Sequence, residues 1–298
     1  MLANNLKIGD TIGIISPSHV AVKDRYSHFF DTINSIGFKV KEGDNLYKNT
    51  YGYLASEQER ADDLNKMVLD KNVKMIFFGG GNGGNELLPY IDYESIKRNP
   101  KIICSYSDGT SILNAIYSKT DLIVYYGQAP GIFGDLLYYD YRQFMANFVN
   151  GPAKQFYPNK KIRIITSGKC EGIITGGYTA NMALLIDGKY FRYNKEKKYI
   201  LLLEDNEKFS RPDHIHAYIS HIEQNEFINN VSGLIFGHYS ENESPELIQC
   251  LERFGRKYKI PVIMSDDFGH GINHGIFPIG CKAEMDTSSE TINFLSYE

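Results

Sequence analysis

Short apolar runs separated by amphipathic stretches constrain this chain more than any other feature. Thr11–Ser16 (TIGIIS), Val73–Phe78 and Lys101–Cys104 read as buried strands. Between them lie helical patterns, one running to Ile36 and one covering Ser56–Leu69, with a weaker strand at Phe38–Lys41. Ser56 precedes Glu59 by three residues, the spacing of a capping box. Strands that alternate with helices build a mostly parallel sheet covered on both faces. In such sheets the working residues sit on loops beyond the carboxyl ends of the strands.

The second half reads differently. Strands are expected at Cys170–Ile174, Tyr199–Leu203, Gly233–Phe236 and Pro261–Met264, with strand-like pieces near Lys282–Met285 and Thr291–Leu295. A helix is expected from Arg211–Pro212, because proline suits a first helical turn. The stretch Gly134–Gly168 shows no clear period and reads as a connection. We therefore expect an α/β protein of two domains. Residues 1–150 form a layered α/β domain, and residues 151–298 a β-rich α+β domain.

Composition narrows the function classes. With 32 Lys and Arg against 36 Asp and Glu, the net charge of −4 offers no broad basic surface for a nucleic-acid polymer. No apolar run approaches the ~20 residues of a membrane span, and the N-terminus lacks a signal-peptide pattern, so a cytoplasmic protein is expected. Cys104, Cys170, Cys250 and Cys281 are widely spaced and read as reduced thiols rather than a disulfide framework or metal set. His214 and His216, with His221, lack the i, i+4 spacing of a helical zinc site and read as surface residues.

Four segments could carry chemistry. Cys104-Ser-Tyr-Ser107-Asp-Gly109 follows a strand and precedes a helical pattern. Such a turn can hold Ser107 in a nucleophile elbow, or Ser107 or Asp108 can simply cap the helix. Gly79–Gly84 contains G-x-G-x-x-G, but no acidic residue stands ~20 positions on to hold a ribose. Its backbone could instead approach an oxyanion, or only turn tightly. Leu201-Leu-Leu-Glu204-Asp205 ends an apolar strand in acids, suited to orienting a histidine or to meeting solvent. His270 lies between glycines, sterically open as a general base, with His274 as a competitor.

Together and in this order, these segments resemble the LD-carboxypeptidase family of serine peptidases, which includes the microcin C self-immunity peptidases. The resemblance also covers Lys7–Asp10, Ile14–Ser18, Tyr51–Ala55, Glu59–Asn65, Leu87–Tyr93 and Pro278–Gly280. It implies Ser107 as nucleophile, Glu204 and His270 as its partners, and no metal or cofactor. The oxyanion would meet the backbone N–H groups of Asp108 and Gly81, and substrate would touch Gly80, Asn82 and Tyr106. It also implies a homodimer. The expected reaction is release of a C-terminal D-amino acid from a small peptide, as in murein tetrapeptide recycling. The alternatives are cleavage of peptidyl- or aminoacyl-nucleotide conjugates, and a non-catalytic binder on the same fold. Tyr126–Pro130 and Gly134-Asp135 lean towards the conjugate branch; the absence of Trp leans away. The chain departs from the family pattern with Ser105 where Gly is usual and Gly109 where Ile or Val is common. It departs again at Gly79, at Asn82 and over Gly176–Asn181.

Overall fold

The computed structural model describes residues 1–297. The first half forms a six-stranded sheet in the order β11-β5-β4-β3-β1-β2. Its strands are β1 (Thr11–Ile15), β2 (Lys39–Glu42), β3 (Val73–Phe78), β4 (Ile102–Ser105), β5 (Val124–Tyr126) and β11 (Phe277–Ile279). All pair in parallel except β11, which comes from the second half and runs antiparallel to β5. The apolar runs behave as expected: Met75–Phe78 and Ile102–Cys104 are buried because helices cover both faces.

The helices are α1 (Lys23–Ser35), α2 (Glu57–Leu69), α3 (Gly84–Leu87), α4 (Tyr93–Arg98) and α5 (Gly109–Thr120). The capping box forms at α2: the Glu59 N–H donates to Ser56 Oγ, and the Ser56 N–H donates back to the Glu59 carboxylate. Arg60, one residue on, is buried and fixes the loops above the sheet. Its guanidinium donates to the carbonyls of Ala55, Pro17 and Gly83 and pairs with Glu86.

The segment Gly134–Gly168 differs from expectation. It contains α6 (Tyr138–Phe144), a wide turn over Met145–Val149, and strand β6 (Arg163–Thr166). A short helix running into a π-type turn breaks the 3.6-residue period, which hides the pattern in sequence. Its aromatics nonetheless enter the core: Phe144 and Phe148 are fully buried and meet Phe38, Phe133 and Tyr125 edge-on.

The second half forms a seven-stranded sheet, β13-β12-β7-β8-β9-β10-β6. Four parallel strands make its centre: β7 (Lys169–Tyr178), β8 (Tyr199–Glu204), β9 (Val231–His238) and β10 (Val262–Gly269). The hairpin of β12 (Lys282–Asp286) and β13 (Thr291–Ser296) flanks it on one edge and β6 on the other, all antiparallel. Helices α7 (Thr179–Leu185), α8 (Pro212–Ile222) and α9 (Pro245–Tyr258) complete the layers. No described helix is long and apolar enough to cross a membrane. The segments that follow β3, β4, β7, β8 and β10 line one cleft, through Gly80, Ser107, Ala180, Phe209 and His270.

Candidate active site

Ser107 sits between β4 and α5 with φ of +56°, a left-handed conformation that a non-glycine residue adopts at a cost. The turn is closed by the N–H groups of Gly109 and Thr110, donating to the carbonyls of Tyr106 and Ser107. A Cβ on Gly109 would collide with the Ser105 side chain. The two departures from the family pattern therefore complement each other. Ser105 takes up the space that Gly109 leaves empty.

The glycine run lies directly against this turn. A Cβ on Gly80 would strike Ser107, and one on Gly81 would strike the carbonyl of Ser18. Gly81 also has φ of +147°. These glycines allow close backbone approach to the serine, which leaves no need to read them as a dinucleotide loop. The Asn82 N–H donates to the Ser18 carbonyl at 2.8 Å and fixes the loop from below.

Asp108 links three parts of the molecule. Its carboxylate accepts from the Gly84 N–H at 2.6 Å and from the Asn181 amide at 2.7 Å, tying the elbow to α3 and to α7. Asn181 was not among the expected site residues. Its only sequence signal is its place two residues beyond Thr179, after the Gly176-Gly177 pair.

Glu204 ends β8 and is fully buried. Its Oε2 lies 2.8 Å from His270 Nδ1, and His270 Nε2 lies 3.1 Å from Ser107 Oγ. The structure thus brings Ser107, Glu204 and His270 into one hydrogen-bonded chain. Burial draws the pKa of His270 down, but the charge of Glu204 and its hydrogen bond outweigh that, so the net shift is upward. Burial also pushes Asp205 up to about 6, with the neighbouring Glu204 charge adding to the effect. The Tyr106 ring tilts against His270 at 5.1 Å, and Tyr178 approaches from another side at 5.3 Å.

His274 stands apart from the chain. Its Nδ1 lies 2.9 Å from the buried Asp140 carboxylate, which also accepts the His274 backbone N–H. The pair anchors the loop that carries His270. Its opposite flank is anchored by Asp267, which accepts from Asn273 and from the N–H groups of Asn159 and Lys160. The histidines of α8 point elsewhere: His216 faces Cys250, and His221 pairs with Asp187. Among the described residues, no group of three or more His, Cys, Asp or Glu could hold a metal ion. The four cysteines are free, and burial pushes Cys170 and Cys281 up to about 12.

Above Ser107 opens a cleft of about 680 Å³. Gly80, Gly81, Asn82, Tyr106 and Asp108 line it, and so do Tyr178, Asn181, Leu184 and Phe209. Phe209 is 63% exposed, with its ring edge-on to His270 at 5.4 Å, and Leu184 is 70% exposed. Solvent-exposed apolar groups in a concave cleft are the kind of surface that ligands cover.

Residues 12–127 match the LD-carboxypeptidase N-terminal domain and residues 171–285 the C-terminal domain of the same family. The chain belongs to the LD-carboxypeptidase family. A putative carboxypeptidase of Vibrio cholerae is 31% identical to it, over 98% of this chain and 96% of that protein. The microcin C7 self-immunity protein MccF of Escherichia coli is 30% identical, over 98% and 95%. A probable murein peptide carboxypeptidase of Bacillus subtilis is 28% identical, over 96% and 92%. Among solved structures, an MccF-like protein of Bacillus anthracis superposes with a TM-score of 0.91 at 27% identity, covering 99% of each chain. MccF itself superposes at 0.87 and 27% identity, covering 99% of this chain and 98% of that one. MccF has also been solved with adenosine monophosphate and with aspartyl sulfamoyl adenosine. Membership in the LD-carboxypeptidase family makes the chain a serine peptidase-type hydrolase.

Proposed function

We propose that this member of the LD-carboxypeptidase family hydrolyses an amide bond in a small peptide or peptide conjugate, with Ser107 as nucleophile. The observation that carries the reading is the unbroken chain from Ser107 Oγ through His270 to the enclosed Glu204. His270 Nε2 takes the Ser107 proton as Oγ attacks the carbonyl carbon. Glu204 accepts the Nδ1–H and stabilises the imidazolium. The developing oxyanion is met by the backbone N–H groups of Asp108, at the positive end of α5, and of Gly81. His270 then gives its proton to the departing nitrogen as the C–N bond breaks. Water, activated by the same imidazole, hydrolyses the acyl-enzyme and restores Ser107.

Two substrate classes fit this chemistry, a murein tetrapeptide ending in D-alanine and an aminoacyl or peptidyl conjugate of a nucleotide. Phe209 favours the second, because its exposed ring at the cleft offers a face for a flat heterocycle. The likeness to MccF over nearly the whole chain agrees with it. The murein reading draws on the similarity to the B. subtilis enzyme. We further propose a homodimer in solution, which sedimentation would test through the mass of the particle.

The discriminating experiment offers purified protein both a murein tetrapeptide and an aminoacyl sulfamoyl adenosine, with mass spectrometry of the products. Faster cleavage of the nucleotide conjugate supports the preferred reading. Alanine release from the tetrapeptide alone returns the protein to cell-wall recycling. Cleavage of neither, by folded protein, rejects both substrate classes.

A further inference from the structure

The buried hydroxyl of Tyr126 touches both ends of the proposed catalytic chain. It donates to Glu204 Oε1 at 2.5 Å and accepts the backbone N–H of Ser107 at 2.9 Å. A phenol has a single proton, so these two bonds fix its direction. Glu204 divides its oxygens accordingly, Oε2 for His270 and Oε1 for Tyr126. The ring has little freedom. Tyr126 is fully buried at the end of β5, where it pairs with Ser105 on β4 and Phe277 on β11. The neighbouring β7 is shaped around it, since a Cβ on Gly177 would collide with Thr110 and lie 2.7 Å from the Tyr126 ring. Gly177 holds φ of +145° at that point.

We infer that Tyr126 is a positioning residue for hydrolysis, whose hydroxyl locks the Glu204 carboxylate and the Ser107 elbow into one geometry. The inference rests on the serine-peptidase reading above. The Ser107 N–H, in a left-handed turn, finds its acceptor in this hydroxyl rather than in the elbow's own backbone. The same hydroxyl shares the negative charge of Glu204, which tempers how strongly the acid holds a proton on His270. A preorganised second layer of this kind keeps reacting groups in register. In sequence, Tyr126 stands out only as the first residue of Tyr126–Pro130, and nothing there points to Glu204 or Ser107.

The test compares wild type with Tyr126→Phe and with 3-fluorotyrosine placed at position 126, reading kcat, KM, melting temperature and the pH profile of kcat/KM. Hydrogen bonds to charged groups contribute about 10- to 100-fold, so Tyr126→Phe should lose that much in kcat/KM, mainly through kcat. With the full Glu204 charge facing His270, its acid limb should move to higher pH. The more acidic fluorophenol donates more strongly, so its acid limb should move to lower pH while the fold is kept. If Tyr126→Phe does not fold, the fluorinated protein decides alone. Unmoved acid limbs, or a rate loss that only tracks melting, would overturn the inference. Ser107→Ala run alongside separates the two claims: retained activity there defeats the serine-peptidase reading itself.

Discussion

Oε2 of the enclosed Glu204 stands 2.8 Å from Nδ1 of His270, inside the family's second domain, while Ser107, 3.1 Å from His270 Nε2, belongs to the first. Burial alone would make His270 a weaker base, yet the Glu204 charge and hydrogen bond carry its pKa above the ordinary value. Catalysis needs the neutral imidazole. Activity should therefore fall as pH drops through a value higher than that of a free histidine, which the pH profile of kcat/KM reads directly. Glu204→Gln removes the charge that raises the pKa, so the acid limb should shift to lower pH. The rate should fall by up to about 10⁴-fold, as for the comparable change in a Ser-His-Asp enzyme.

Ser105 and Gly109 make a second prediction. Gly109→Ala places a methyl into the Ser105 side chain and should cost about 1–3 kcal/mol through overpacking, measured by chemical denaturation. Ser105→Gly in the same chain should restore most of that loss. The coupling between the two substitutions in a double-mutant cycle is the quantity to report, and simple additivity would contradict the steric account.

The glycine loop should tolerate no side chain facing the elbow. Gly80→Ala drives a Cβ into Ser107 and should lower kcat by ~10²-fold or more, because small misplacements of reacting atoms are that costly. Its readout is kcat against an unchanged or modestly lowered melting temperature.

Asp108 joins α3, α5 and α7 through one carboxylate. Asp108→Ala strands the Gly84 N–H and leaves the Asn181 amide only its long bond to Ser111, and should destabilise the protein by about 1–3 kcal/mol per unsatisfied group. Urea titration measures it. Asp108→Asn should lose less, since one carbonyl oxygen remains to accept.

Phe209→Ala separates the substrate classes. An aromatic platform contributes about 1–3 kcal/mol per stacked base, so KM for a nucleotide conjugate should rise roughly 5- to 150-fold, with kcat changed far less. An unchanged KM would remove the ring from substrate binding.

Much of the fold is legible in the sequence. Val73–Phe78 is a strand at both predicted ends, because a buried parallel strand is a continuous apolar run. The capping box at Ser56 and the proline start of α8 were local signals with local causes. Helix α9 buries Leu247, Cys250, Leu251 and Phe254, a helical spacing that is equally local. Other features are invisible in one dimension. Strand β11 leaves the second half to join the first sheet, and α6 hides its helix behind a π-type turn. At the site, the order Ser107, Glu204, His270 could be read from the resemblance. The contacts of Tyr126, Asn181 and Phe209 could not, since they arise only where separate strand ends meet.

The most direct measurement of the central claim is covalent labelling with a fluorophosphonate, followed by peptide mapping and an activity assay on the same sample. The account predicts a single adduct on Ser107, loss of hydrolysis in proportion to labelling, and no labelling of folded Ser107→Ala. Labelling at another residue, or hydrolysis that survives in Ser107→Ala, would contradict it.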